Sequence, residues 1–502
     1  MTRFLSLLLS AVLALTLAAC TPEDSSSSQK TSSSASTSQE EQQPVDIPFA
    51  LAAYPSYSFH PVLAENRANL TLAPLLYEPL FEIDASFQAT PVLCQNYFAS
   101  ADMLSWTFLL RSGVTFSDGT PLTGQIVADC LNLARQAGSR YASRLADVSA
   151  VTGDEGSVTI TLSRPNGSLP ALLDIPIAYG SGDRPLGTGP YLLSGQDEQL
   201  SLTARTGWWQ NKSLPAQEIP LVAVEKSDDL LSAFSAGDIS LVDVDLMGTN
   251  ALGYSGSYET WDYATTDLLY LGFNTRSGIG QNASVRLALA RAIDRDSIVQ
   301  VDFARHAVAT TLPIHPDSSL YQASLSEALS YSPEGLTETL DNLRLSNRPI
   351  KLLVNSENAA KVAAAQRIAY QLEAAGLQVS LSKLPFEDYL AALTERNFDL
   401  YVGEVVLTAD FDLSALLSSS GSLNYGAWQD AQFDALLTAF RSAQGEARST
   451  AAASMLTYLN QQVPIAPICF KNGSVLTQWG RLSGLDPVRG NVFHHLEGWI
   501  IQ

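Results

Sequence analysis

Apolar and polar positions alternate along "SWTFLLRSGVTFSDGTPL": Trp106, Phe108 and Leu110 fall between Thr107, Leu109 and Arg111, the period-two pattern of a strand with one buried face. Asp118-Gly119 marks a turn. Thr123 stands where it can cap a short helix whose apolar side runs through Val127, Leu131 and Ala134. "SVTITLS" from Ser157 alternates again, so residues 75–177 are predicted to form an α+β block. From Arg348 the period changes. "PIKLLVNS" reads as a buried strand, "NAAKVAAAQRIAYQLEAAG" as a helix with Val362, Ala365, Ala369 and Leu372 on one side and Gly376 at its end, and "LQVSLSKL" as a second strand. Strand, helix, strand implies a right-handed parallel crossover. A helix over 387–396 and the strand "FDLYVGEVVL" repeat the unit, which makes this block α/β. "NASVRLALARAID" places Val285, Ala288, Leu289, Ala292 and Ile293 on one helical stripe, expected to wall the same block. Two unlike blocks in one chain leave a cleft, where small ligands usually sit.

The amino-terminal pattern is different. A mainly apolar run covers 4–19, but it holds Ser6, Ser10 and Thr16 and is shorter than the ~20 residues of a membrane span. With Arg3 ahead of it and small residues behind, it reads as a secretory signal. Leu17-Ala18-Ala19-Cys20 resembles the lipobox of bacterial lipoproteins. That likeness implies a diacylglyceryl group on the Cys20 thiol and cleavage just before it. Residues 21–44 are mostly Ser, Thr, Gln and Glu and cannot bury enough apolar surface to order themselves. They read as a tether spanning roughly 25 to 30 Å.

Composition narrows the functional classes. The remainder is long enough for two or three packed units, and 46% hydrophobic with 16% charged residues suits a well-buried globular protein. A net charge of −22 opposes nucleic-acid binding, because phosphates would be repelled. Besides Cys20 there are Cys94, Cys130 and Cys469 without a CxxC pair, read as buried free thiols with a single bridge left open. There is no G-x-S-x-G elbow, H-E-x-x-H pair or phosphate-binding loop. Of the five histidines, His494 and His495 are adjacent, and on a strand adjacent side chains point to opposite faces, so no metal site is expected. "GTGPY" from Gly187 reads as a tight turn, and Glu404 with Asp410 as an acid and base pair is weaker than a binding role. The chain is expected not to be an enzyme and to carry no cofactor.

Several blocks in order carry a resemblance: "LLYEPLFEIDASFQATPVLCQNYFASADMLSWTFLLRSGVTFSDGTPLTGQIV", "GTGPY", "SAFSAGDISLVDVD", "YLGFNTRSGIGQNASVRLALARAIDRDSIV" and "FDLYVGEVVLTADFDLSALLSSSGSLNYGAWQDAQFDALL". Together they are similar to the extracytoplasmic solute-binding proteins, family 5, that serve peptide, nickel and related ATP-binding-cassette importers. The resemblance implies an α/β, two-lobed periplasmic-binding-protein-like fold of type II with an extra subdomain in the first lobe. It implies a signal peptide over 1–19, a lipidated cysteine and tether over 20–45, a first-lobe core from 46–74, 185–267 and 471–502, an extra subdomain over 75–184 and a second lobe over 268–470. Hinge strands are expected at 267–274 and 465–470. The implied partners are a small-molecule or peptide ligand, permease subunits and, through the lipid, the outer face of the cell membrane, with the chain itself monomeric. In peptide-binding members an aspartate in an Ala-Asp-aromatic stretch pairs with the ligand's amino group, and "TADFD" puts Asp410 there. Tyr425 and Trp428 are the expected apolar walls. Two departures stand out: Asp412-Leu413 where relatives have an acid and a proline, and Thr123-Gly124-Gln125-Ile126-Val127 where the family writes Thr-Ala-Glu-Asp-Val. A surface hydrolase or adhesion lipoprotein on the same scaffold is the alternative.

Overall fold

A computed structural model describes residues 48–196 and 199–502; the expected signal, tether and Cys20 lie outside them. The alternation at Ser105–Leu110 becomes a strand in a four-stranded antiparallel sheet, ordered Cys94–Ala99, Ser105–Leu110, Ser157–Leu162, Val148–Gly153. Trp106 and Phe108 point into its core, against Val127, Leu131 and Ala134 of the helix Gly124–Ala134. The Thr123 hydroxyl accepts the Ile126 N–H at 3.3 Å, a cap of the kind that contributes about 1 kcal/mol. The departure at Gly124 has a steric reason. A Cβ there would lie 1.7 Å from the Ser157 carbonyl oxygen, so only glycine lets this helix start so close to the sheet.

A second four-stranded sheet, ordered Leu51–Ala53, Glu218–Ala223, Gln199–Ala204, Tyr191–Gln196, shares a core with Val492, Phe493, Leu496 and Trp499 from the carboxyl-terminal segment. "GTGPY" leads into Tyr191–Gln196. It is not the expected tight turn. Neither glycine has positive φ, and both are small because the chain lies on Leu76, where a Cβ on Gly187 would stand 1.9 Å from a carbonyl oxygen. The carboxyl-terminal segment brings a further correction. His494 and His495 lie in no strand; His495 adopts left-handed φ 53° and ψ 34°. The two rings therefore share one side, with centroids 3.7 Å apart.

The third sheet has seven strands. Its order is Leu241–Val244, Ile465–Gln478, Tyr258–Phe273, Leu400–Val406, Pro349–Asn355, Gln378–Leu384, with Ala307–Ala309 added beside Ile465–Gln478. Pro349–Asn355 is parallel to both Gln378–Leu384 and Leu400–Val406, with the helices Ala359–Ala374 and Phe386–Thr394 as crossovers, as the periodicity predicts. The helix Ala283–Arg291 buries the predicted Val285, Ala288 and Leu289 in the core on one face of this sheet. The long strands Tyr258–Phe273 and Ile465–Gln478 pair with each other along most of their length. Their pairing slips between Ala264 and Leu268, just ahead of the expected hinge residues, while Leu268–Phe273 and Ile465–Phe470 are buried core strand. The extra residues there form a bulge that re-aims side chains. Among the described residues Cys94, Cys130 and Cys469 are buried and free.

Candidate functional site

The strand Leu400–Val406 ends in a loop pinned to the bulge: the Leu407 N–H donates to the Thr266 carbonyl at 3.0 Å, and the Thr266 hydroxyl to the Leu407 carbonyl at 2.6 Å. Three residues on stands Asp410, buried with 3% of its surface exposed. Its carboxylate accepts from the Thr408 hydroxyl and, at 3.3 Å, from the Asp412 N–H. The next residue, Phe411, has φ 54°. A bulky side chain in the left-handed region is strained, and here packing holds it: Phe411 is fully buried against Phe87 and Phe470. Arg448 reaches under the loop, donating to the Asp410 carbonyl at 2.7 Å and to the Phe440 carbonyl at 3.0 Å.

The other side of the site comes from the α+β block. The Asn166 amide donates to Asp410 Oδ2 at 3.2 Å, and the Trp106 indole N–H donates to the Asn166 carbonyl at 3.1 Å. Arg441 joins the two sides a second time, with Asp147 at 2.5 Å and Asp412 at 3.0 Å. Burial and the neighbouring Asp410 raise the Asp412 carboxyl above its ordinary value. Phe87, at the tip between the strands Phe81–Ile83 and Ala89–Pro91, inserts its ring 5.0 Å from His315 and 5.1 Å from Phe411. Burial lowers the His315 imidazole to about 4, so it is neutral at pH 7. A cavity of about 370 Å³ remains between the two sides, lined among others by Phe87, Tyr97, Trp106, Ser168, Asp410 and Arg448. Among the described residues no basic side-chain nitrogen lies within 4.0 Å of the Asp410 carboxylate.

Tyr425 and Trp428 do not line this cavity. Tyr425 packs edge-on against Tyr401, 6.4 Å between centroids, and Trp428 is core, 4.9 Å from Phe433. Nor does Glu404 meet Asp410. It belongs to a charge cluster around Lys471 of the strand Ile465–Gln478, where the buried ammonium lies 3.0 Å from Glu404, 3.1 Å from Asp245 and 3.9 Å from Asp267, and Lys361 lies 3.1 Å from Glu404. Burial favours a neutral Lys471, yet Glu404, Asp245 and Asp267 outweigh it and raise its pKa. Burial would likewise raise Glu404, but Lys471 and Lys361 outweigh it and hold the carboxyl below its ordinary value.

Asp267 goes the other way. Burial raises it from 3.8 to about 6, against the pull of Lys471 and with Glu404 and Asp245 adding to the rise. Between pH 3.8 and about 6, folded Asp267 therefore keeps a proton that the unfolded chain has released. Its favourable contribution is complete below pH 3.8 and is lost as pH rises through about 6. Asp267→Asn should melt above wild type at pH 7.5, with the gain narrowing towards pH 4; thermal melts at the two pH values check this, and a constant difference would reject it.

Asn166, Phe87 and Arg448 are the site residues that the sequence pattern did not single out. Each reaches the Asp410 loop from a distant part of the chain, and none carries a local signal beyond the turn residues around Asn166 and Phe87.

This mixed α/β architecture, with its parallel crossover sheet and two long antiparallel strands, is the fold of the periplasmic solute-binding proteins. The profile of "Bacterial extracellular solute-binding proteins, family 5 Middle" matches residues 88–426, more than half of the chain. The chain belongs to that family, which is one of solute-binding proteins and not of enzymes. It is 25% identical over 318 residues to the glutathione-binding protein GsiB of Shigella flexneri, covering 59% of this chain and 62% of that one. The match thus spans less than two thirds of that relative's length. It is 22% identical over 477 residues to the oligopeptide-binding protein OppA of Bacillus subtilis, covering 82% and 85%. The solved structure of HbpA2 from Haemophilus parasuis has the same fold, with a TM-score of 0.76 at 19% identity, covering 90% of this chain and 99% of that one.

Proposed function

We propose that this chain is the extracytoplasmic receptor of an ATP-binding-cassette importer, held at the outer face of the membrane by lipid on Cys20. It acts as a monomer that captures an oligopeptide or dipeptide and delivers it to the permease. In this reading 46–74, 185–267 and 471–502 form the first lobe with 75–184 as its subdomain, 268–470 form the second, and the ligand is enclosed where they close. The observation that carries the reading is Asp410: a buried carboxylate between two blocks, supplied with neutral hydrogen-bond donors and with no cation within 4.0 Å among the described residues. A carboxylate in such a place suits a cationic ligand group, because an ammonium taken from water needs a charged partner. Relatives named for glutathione and oligopeptide binding support the ligand class. Tyr425 and Trp428, packed behind the loop, support its shape.

Titration with short peptides bearing a free amino terminus should release heat in calorimetry and make the particle more compact in small-angle scattering. An unchanged scattering profile with no heat across dipeptides to pentapeptides would reject the peptide ligand.

A further inference from the structure

The segment that ends the chain carries a group of side chains with no part in the Asp410 site. Among the described residues, Asp486, His494 and His495 are the one group of three or more His, Cys, Asp or Glu side chains whose donor atoms all lie within 4.8 Å of one another. Their convergence depends on the left-handed backbone at His495, which turns two neighbouring imidazoles to one side. Asp486 Oδ2 lies 3.3 Å from His494 Nδ1 and 3.1 Å from His495 Nδ1, and the Asp486 carbonyl oxygen lies 3.1 Å from the same nitrogen of His494.

Ligands held about 2.0 to 2.1 Å from a tetrahedral zinc ion sit about 3.3 Å from each other along the edges of the tetrahedron. The carboxylate-to-imidazole distances fall at that spacing. Imidazole nitrogens with one carboxylate also suit zinc, copper or nickel, whereas magnesium and calcium call for all-oxygen shells. Behind His494 stands Glu82, its Oε2 3.9 Å from Nε2 and its Oε1 accepting from the Asn491 amide. A carboxylate behind a ligating histidine is the usual means of orienting the ring. The remaining histidines differ: His60 and His315 are buried, and His306 pairs with Asp262 at 2.9 Å.

We propose that Asp486, His494 and His495 bind a divalent transition-metal ion of the zinc class through the carboxylate and the two Nδ1 atoms. The ion would cross-link residues 486 and 494–495 within the carboxyl-terminal segment, so it would stabilise the fold without entering the Asp410 cavity. His494 and His495 also line a separate cavity of about 550 Å³ with Trp208 and Trp209, which leaves the ion reachable from solvent.

The test is titration of zinc chloride into the untagged, metal-stripped full-length protein by calorimetry, with thermal melts alongside. One zinc per chain should bind and raise the melting temperature, since a ligand specific for the folded state stabilises it by mass action. His494→Ala and His495→Asn should each weaken binding by at least about tenfold and abolish the rise. Asparagine tolerates the left-handed backbone, so His495→Asn folds, which its metal-free melt verifies. His306→Ala should bind zinc like wild type. Failure of wild type to bind, or equal affinity in the two cluster variants and wild type, would overturn the proposal.

Discussion

Asp410→Ala should weaken the binding of a short peptide at least roughly thirtyfold while leaving the melting temperature of the ligand-free protein close to wild type. The size follows from burial. Truncating one partner of a buried, hydrogen-bonded charge pair costs about 2 to 5 kcal/mol, and each 1.4 kcal/mol is about tenfold in affinity. The small effect on the free protein follows from the partners. The hydrogen bonds lost from Asn166, Thr408 and a main-chain N–H are offset by removing the Asp410 charge beside Asp412, and the loop stays anchored through its carbonyl by Arg448. Amino-terminal acetylation supplies the control. An acetylated peptide should bind wild type poorly and lose little more in Asp410→Ala, because one interaction cannot be lost twice. If calorimetry shows mutation and acetylation each leaving affinity intact, Asp410 serves only to shape its loop.

Lys471→Met should lower the free energy of unfolding by about 3 kcal/mol, the low end of the loss when a buried charge is taken from its partners, because these carboxylates are only partly buried. Methionine keeps most of the aliphatic stem, so the charge is tested more than the packing. The Asp245 and Glu404 carboxylates would then lie beside Asp267, whose carboxyl loses the cation that held it down, with Lys361 left to serve Glu404 alone. Adding Glu404→Gln to Lys471→Met should recover part of the loss by removing one of those charges. Urea unfolding of the single and double variants measures both effects. Equal midpoints for wild type and Lys471→Met would mean that the ammonium contributes nothing net. The cluster lies beside the bulge at residues 265–267, where the Thr265 hydroxyl donates to the main-chain carbonyl of Lys471 at 2.7 Å, a bond that the substitution leaves in place.

Local periodicity was enough for the elements themselves. Trp106 and Phe108 face a core because alternate strand residues share a face, and Ala365, Ala369 and Leu372 are buried because helical spacing aligns them. The parallel crossover followed from element order. The order of family blocks pointed to Asp410, which the structure buries between two blocks, while Trp428 is core and Tyr425 packs against it. Tyr425 and Trp428 are near Asp410 in sequence, and the chain turns them into the core instead of the cavity. The expectation that His494 and His495 point to opposite faces failed for a related reason, since alternation holds only in a strand and His495 sits in a left-handed turn.

The sequence by itself determined which segments are strands and helices, which faces are apolar, the α/β class and the family, because these depend on spacing over a few residues or on the order of blocks. Only the tertiary structure decided what Asp410, Lys471 and His494 meet. Asn166 is 244 positions from Asp410, and Asp245 is 226 from Lys471. Polar partners so far apart leave no periodic trace: a hydrogen bond or ion pair depends on positions matched to within a fraction of an ångström, and those are set by how whole sheets and helices pack.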